Sequence, residues 1–207
     1  MAPLRALLCS QNTHKLDELR AALPDWNLDL LALEDYPPED GATYEANARL
    51  KAEHGRARAP REVWVLGEDS GIECDALGGG PGVLSARWAP PESQADALVA
   101  RLDGEQNRRG RMVCTIVALP PSGGEEVRVV GVLRGELATE KRGSGGFGYD
   151  PVFVPRGRTM TVAELGDAWK RANSHRARAA AALREAVAAT RAHRLRRPAA
   201  RGGRATS

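Results

Sequence analysis

Leu4-Arg5-Ala6-Leu7-Leu8-Cys9-Ser10-Gln11-Asn12-Thr13-His14-Lys15 is the stretch that decides the architecture. An apolar run of strand length gives way to polar residues, and a helical pattern then runs from about Lys15 to Leu23, where Pro24 stops it. The unit is strand, polar loop, helix. Moving outward, the same unit recurs. Leu28–Leu33 reads as a strand and Pro37-Pro38 as a loop. Thr43 then caps a long helix reaching about Ala59, with Glu45 in its first turn. Val63–Leu66 reads as a compact strand ending at Gly67-Glu68-Asp69-Ser70-Gly71. Beyond the glycine-rich loop Gly78–Gly82, a helix is expected from Ser93 to Leu102. The strands Met112–Leu119 and Glu126–Leu133 are joined across Pro120–Gly124 as a hairpin. A second glycine-rich loop, Gly143–Gly148, precedes a short extended Pro151–Val154, and Ser174 caps a last helix to about Thr190. Strands alternating with helices, followed by a hairpin and a last helix, predict an α/β fold with a mixed β-sheet. In such sheets ligands collect beyond the strand ends.

Composition narrows the function classes. The 207 residues suffice to bury a real core, and no apolar run approaches the roughly 20 residues of a membrane-spanning helix. No membrane partner and a cytoplasmic address are the expectation. Cys9, Cys74 and Cys114 have no metal-ligand spacing and sit in apolar settings, which predicts buried, reduced thiols. The net charge of +3 is misleading. Residues 190–207 hold six arginines and no acid, so removing six from +3 leaves −3 for the rest of the chain. The basicity belongs to a tail expected to be disordered. A nucleic-acid partner is therefore not favoured, although a binding arm is one alternative. Of 30 basic residues only Lys15, Lys51, Lys141 and Lys170 are lysine, so a retained lysine is a pointer to a site that needs a compact ammonium.

Four clusters could carry chemistry. Ser10, Gln11, Asn12, Thr13, His14 and Lys15 stand between strand and helix, where backbone N–H groups and one point charge favour an anion, although an ordinary helix cap reads the same way. Glu68-Asp69-Ser70-Gly71 places adjacent carboxylates at a strand end, suited to Mg²⁺ or to an acidic surface turn. On the long helix Asn47 and Lys51 share a face by spacing, whereas Glu45 is spaced to pair with Arg49. Last, Gly145-Gly146-Phe147-Gly148-Tyr149-Asp150-Pro151 offers two aromatics for stacking on a base. Lys170 and Ser174-His175-Arg176 supply donors before and at a helix start. Together these are the parts of a nucleoside-phosphate site with a divalent metal.

The set resembles the inosine/xanthosine triphosphate pyrophosphatases. The family's S/T-x-N-x-x-K is matched by Ser10–Lys15, and its D-D-S-G run by Glu68-Asp69-Ser70-Gly71 continuing to Ser85-Ala86-Arg87. Its G-G-F-G-Y-D-P is intact at Gly145–Pro151, and its K-x-x-x-S-H-R is matched by Lys170 to Arg176. Two departures stand out. Glu68 replaces the first aspartate, and Ala46 separates Glu45 from Asn47 where the family has Glu-Asn adjacent. The resemblance implies a long mixed β-sheet flanked by helices, a catalytic domain over residues 1–189 in two lobes, with the site in the cleft between them, and a homodimer. It implies hydrolysis of inosine, deoxyinosine and xanthosine triphosphates to monophosphate and pyrophosphate with Mg²⁺. Asp69 would be proton acceptor and metal ligand, with Glu45 a second metal ligand. Ser10, Gln11, Asn12, Thr13, His14, Lys15, Ser70, Phe147, Gly148, Tyr149, Asp150, Lys170, His175 and Arg176 would contact substrate. The rival classes are a catalytically silent nucleotide-binding regulator and a nucleic-acid binder working through the arginine tail.

Overall fold

The computed structural model describes residues 3–121 and 123–196. Strand β1 (Leu4–Leu8) lies parallel to β2 (Trp26–Leu30) on one side and to β3 (Trp64–Cys74) on the other. Then β4 (Arg109–Leu119), β5 (Val127–Leu137) and β6 (Phe153–Pro155) follow antiparallel, so the six-stranded mixed sheet has the order β2-β1-β3-β4-β5-β6. Helices α1 (Thr13–Ala22), α2 (Tyr44–Arg56), α3 (Gln94–Arg101), α4 (Val162–Asn173) and α5 (His175–Arg196) flank it. The fold class is the one the sequence predicts. Among the described residues no helix is long and apolar enough to cross a membrane.

The two faces of the sheet carry different helices. On one, Leu16 and Leu19 of α1 and Ala179, Ala180 and Leu183 of α5 pack on Leu8, Leu66, Cys114 and Ile116. Farther along the sheet, Leu98 of α3, Phe153 and Val162 join Ile72, Met112 and Leu133 in a second cluster. On the other face Ala48 and Ala52 of α2 meet Val117. Two glycines set how closely the helices approach. A Cβ on Gly67 would lie 1.9 Å from the Ala48 carbonyl oxygen, and one on Gly131 would lie 2.0 Å from that of His175. The absent side chains let α2 and the first turn of α5 lie directly on the sheet.

Several expectations need correction. The third strand does not end at Gly67: β3 continues to Cys74 because β4 pairs with it from Val65 onward. The second strand is Trp26–Leu30 rather than Leu28–Leu33. Helix α4 was not expected, since Gly166 at φ 78° interrupts the helical geometry. Its start was nevertheless written in the chain: Thr161 and Glu164 form a reciprocal capping box. Helix α5 runs to Arg196, into the stretch expected as a disordered tail, and the remaining residues 197–207 lie outside those described. Cys9, Cys74 and Cys114 are buried free thiols, as expected.

Candidate active site

Strand β1 stops at Leu8, opposite Leu66, whereas β3 runs eight residues farther. Among the described residues the β3 edge along Glu68–Gly71 therefore has no strand neighbour on the β1 side. This is the position beyond a carboxyl end of a parallel strand where α/β sheets hold ligands. The loop Ser10–Asn12 arrives at that edge. The Ser10 hydroxyl accepts from the Asn12 N–H at 3.1 Å, and Asn12 Oδ1 caps α1 by accepting from the Lys15 N–H at 3.2 Å.

Strand alternation then sends the two adjacent carboxylates to opposite faces. Glu68, fully buried, meets α1 and α5. Its Oε2 lies 2.7 Å from Lys15 Nζ, and its Oε1 accepts from Arg176 at 3.0 and 3.2 Å and from the Cys114 thiol at 3.2 Å. Burial alone would raise its pKa, but Lys15 and Arg176 hold the carboxyl well below the usual range. Asp69 faces α2, where its Oδ1 accepts from Lys51 at 3.1 Å and its Oδ2 from Asn47 at 3.1 Å. Here burial outweighs Lys51, Lys15 and Asn47, and the carboxyl is pushed above its ordinary value. Lys51 Nζ also reaches the Glu68 carbonyl oxygen at 3.0 Å and Glu39 Oε1 at 2.5 Å, so three protein oxygens converge on one ammonium.

A cleft of about 350 Å³ opens on the α1/α5 face, lined among others by Lys15, Ser70, Phe147, Lys170, His175 and Arg176. Its basic wall is braced by Glu18, whose oxygens meet Lys170 at 2.5 Å and Arg176 at 2.6 Å. Lys170 also meets Asp150 at 2.5 Å and stands 4.0 Å above the Phe147 ring, which stacks with His14 at 5.1 Å between centroids. Asp150 Oδ2 accepts from the Phe147 N–H at 2.8 Å and so fixes the glycine loop. His175 is buried, and its Nδ1 has no hydrogen-bond partner among the described residues. Burial and the neighbouring Arg176 push its pKa well below 6.5, leaving a neutral imidazole at the cleft wall.

Residues 6–186 match the model of the Ham1 family. The chain belongs to the Ham1 family. The dITP/XTP pyrophosphatase of Bdellovibrio bacteriovorus is 45% identical over 154 residues, 72% of this chain and 76% of the relative. That of Nocardia farcinica is 42% identical over 91% of this chain and 97% of its own. A solved Ham1 protein from Staphylococcus aureus superposes with a TM-score of 0.78 at 32% identity, covering 90% of this chain and 99% of that one.

Within this Ham1 chain Asp69 lies against Lys51 and Asn47, outside the cleft lining, and the other sequence-derived candidates fall into three groups. Asn12, His14, Lys15, Ser70, Phe147, Gly148, Tyr149, Asp150, Lys170, His175 and Arg176 all line the cleft. Ser10, Gln11 and Thr13 belong to the loop and the first helical turn that carry it and are not in its lining. Glu45 is elsewhere: its oxygens are taken by Arg49 and Arg128, while its helix neighbours Asn47 and Lys51 point at Asp69. Tyr149, expected as an exposed stacking ring, is buried in the second apolar cluster with its hydroxyl donating to the Ser85 carbonyl at 2.8 Å, so only Phe147 of the pair presents a half-buried ring. Sequence reasoning missed Glu18 and Glu39. Glu18 was detectable three residues after Lys15 on one helix face. Glu39, in an irregular loop, carried no signal.

Proposed function

We propose that this chain hydrolyses deaminated purine nucleoside triphosphates, such as inosine, deoxyinosine and xanthosine triphosphates, to monophosphate and pyrophosphate. The observation that carries this reading is the β3 edge at Glu68–Gly71, flanked by Lys15 on one face and Lys51 on the other, beside a cleft with a half-buried aromatic ring. The base enters the cleft against Phe147, where the neutral His175 and the cationic Lys170 and Arg176 meet its edge. A donor directed at position 6 pairs with a keto group and is opposed by the amino group of adenine. The phosphates lie along the β3 edge between the two lysines.

The residues also fit a divalent cation. Asp69 and Glu39 turn carboxylate oxygens toward one point now held by the Lys51 ammonium. Among the described residues no three His, Cys, Asp or Glu side chains cluster there, which matches Mg²⁺, an ion that takes one or two carboxylates plus phosphates and water. Glu39 thus replaces Glu45 as the second acidic contributor. When bound, Mg²⁺ neutralises charge developing on the triphosphate. The chain's own residues do the rest. Asp69 orients a water and takes its proton as the water oxygen bonds to the α-phosphorus. The bond from that phosphorus to the oxygen bridging to the β-phosphorus breaks, and Lys15 and Lys51 stabilise the departing pyrophosphate. The raised proton affinity of Asp69 suits it to this task.

Asp69→Asn tests the reading. It keeps the shape and the Asn47 contact but removes the base, and it is expected to cut pyrophosphate release from inosine triphosphate by at least about 10³-fold, roughly 4 kcal/mol of barrier. Retention of more than about a tenth of wild-type turnover refutes the assignment, and binding without turnover in the wild type would favour a silent regulator.

A further inference from the structure

On the α2 face, at the far end of the sheet from Leu66, three strands and the residue just past β6 bring charged residues into one cross-strand row. Glu73 of β3 is opposite Arg111 of β4, Arg111 is opposite Arg134 of β5, and the Gly135–Pro155 register sets Arg156 beside Arg134. The Arg156 N–H donates to the Arg134 carbonyl at 2.9 Å, which fixes that end of the row. Like charges directly opposite destabilise a strand pair. Glu73 compensates Arg111 at 2.6 Å, but among the described residues Arg134 and Arg156 form no ion pair. Arg109, opposite Glu136 in the β4–β5 register, and Arg158 complete the rim of the same concavity, and neither forms an ion pair among the described residues. The cleft holds about 570 Å³, the size of a small-molecule site, and its lining has five arginines against Asp75 and Glu136.

Three adjacent strands span about 10 Å at the usual spacing. Guanidinium forks over that width suit phosphate oxygens, each of which they can bind in pairs. Asp75 and Glu136 lie in the same lining and oppose a run of phosphates continuing past the cleft, which favours a compact anion over a nucleic-acid strand. We propose that this cleft is a second anion site, separate from the catalytic one, that takes a compact polyphosphate such as inorganic pyrophosphate. Glu73 is four residues along β3 from Asp69, about 13 Å away at strand rise, so the row lies on the Asp69 side of the sheet, opposite the cleft of Phe147 and Lys170, and the linings of the two clefts share no residue. Only the source of the anion, as a product of turnover, rests on the proposed hydrolysis. The site itself does not.

Calorimetric titration of the full chain with inorganic pyrophosphate, in EDTA, tests the proposal. The variants are Arg134→Ser/Arg156→Ser and, as a charge-matched control, Arg101→Ser/Arg171→Ser on exposed parts of α3 and α4. The row variant is expected to lose one equivalent of bound pyrophosphate per chain and to melt at a higher temperature than wild type in pyrophosphate-free buffer. The control is expected to keep wild-type stoichiometry. Unchanged stoichiometry in the row variant overturns the proposal, and so does an equal loss in the control, which would mark bulk charge. A single-stranded oligonucleotide binding more tightly than pyrophosphate and released by the row substitutions would overturn it in favour of nucleic acid. Turnover of inosine triphosphate is measured separately, so failure here and failure of the proposed hydrolysis remain distinct.

Discussion

Glu68→Gln separates a buried charge from the shape that carries it. Glutamine fills the same space beside Ile116 and Cys114, but Lys15 at 2.7 Å and Arg176 at 3.0 Å lose their counter-ion, leaving Arg176 only Glu18. Removing one member of a buried ion pair typically costs about 3–5 kcal/mol, because the partner stays desolvated and unpaired. Total stability of a domain is about 5–15 kcal/mol, so roughly a fifth or more is at stake. With a urea slope of about 2 kcal/mol/M, the unfolding midpoint moves down by about 2 M. The assay is urea denaturation followed by circular dichroism, with Glu68→Asp as the variant that keeps the charge and loses only a methylene. The pH profile adds a sign. The folded-state pKa of Glu68 is depressed, so its stabilisation is complete above the unfolded value of about 4.3 and is lost as pH falls through the folded one. That acid-side loss is absent in Glu68→Gln. A midpoint shift below about 0.5 M, or an equal shift in Glu68→Asp, would refute the account of Glu68 as the charge that holds α1 and α5 to the sheet.

Three further outcomes are expected. Inosine and xanthosine triphosphates are cleaved about 100-fold faster than ATP or GTP, about 2.7 kcal/mol of discrimination, and comparable rates on ATP in a pyrophosphate-release assay would contradict the base contacts assigned to His175, Lys170 and Arg176. Lys15→Arg lowers turnover although charge is kept, because a longer planar fork displaces its donors from the place where a compact ammonium sits 2.7 Å from Glu68; wild-type kinetics would mark Lys15 as an ordinary surface cation. His175 is neutral when folded, with its pKa depressed, so its contribution is present above about pH 6.5 and is lost as pH falls below that. Wild-type stability therefore drops by up to about 1.4 kcal/mol per pH unit from pH 6.5 toward 5, a slope that His175→Asn removes; identical slopes in thermal melts at matched pH would show that His175 titrates as in the unfolded chain.

The alternation of strand and helix and the polar loop at Ser10–Lys15 were legible because both depend on local pattern. So was the glycine loop at Gly145–Pro151, of which Phe147, Gly148, Tyr149 and Asp150 line the cleft. What was hidden required long-range pairing. Polar Glu68, Asp69 and Ser70 looked like the end of a strand, and only the full-length pairing with β4 makes them its middle. Tyr149 and Phe147 are two apart in a glycine-rich loop, and nothing local says that Tyr149 packs into an apolar cluster while Phe147 presents a half-buried ring. Glu45 attracted attention by motif position. On an α-helix, however, a residue two places from Asn47 is turned well away from the face that Asn47 and Lys51 present, so its partners are Arg49 and Arg128.

The extension of β3 also resolves a difficulty posed by the adjacent acids. Two carboxylates on neighbouring residues repel in a turn, where both can face the same space. Within a strand they point to opposite faces, and each here has its own lysine: Lys15 from α1 for Glu68 and Lys51 from α2 for Asp69. The environments then drive their proton affinities apart. Glu68 has two cations and is held ionised, a fixed charge that organises the wall of the cleft. Asp69 shares its single lysine with Glu39, and burial prevails, so it binds a proton more readily. Under the proposed mechanism, that divergence between neighbouring titratable groups lets one site supply both a permanent charge and a proton acceptor. It follows that exchanging the pair as Glu68→Asp/Asp69→Glu, which conserves charge and composition, lengthens the arm at the acceptor and shortens it at the brace, so turnover falls while net charge stays the same.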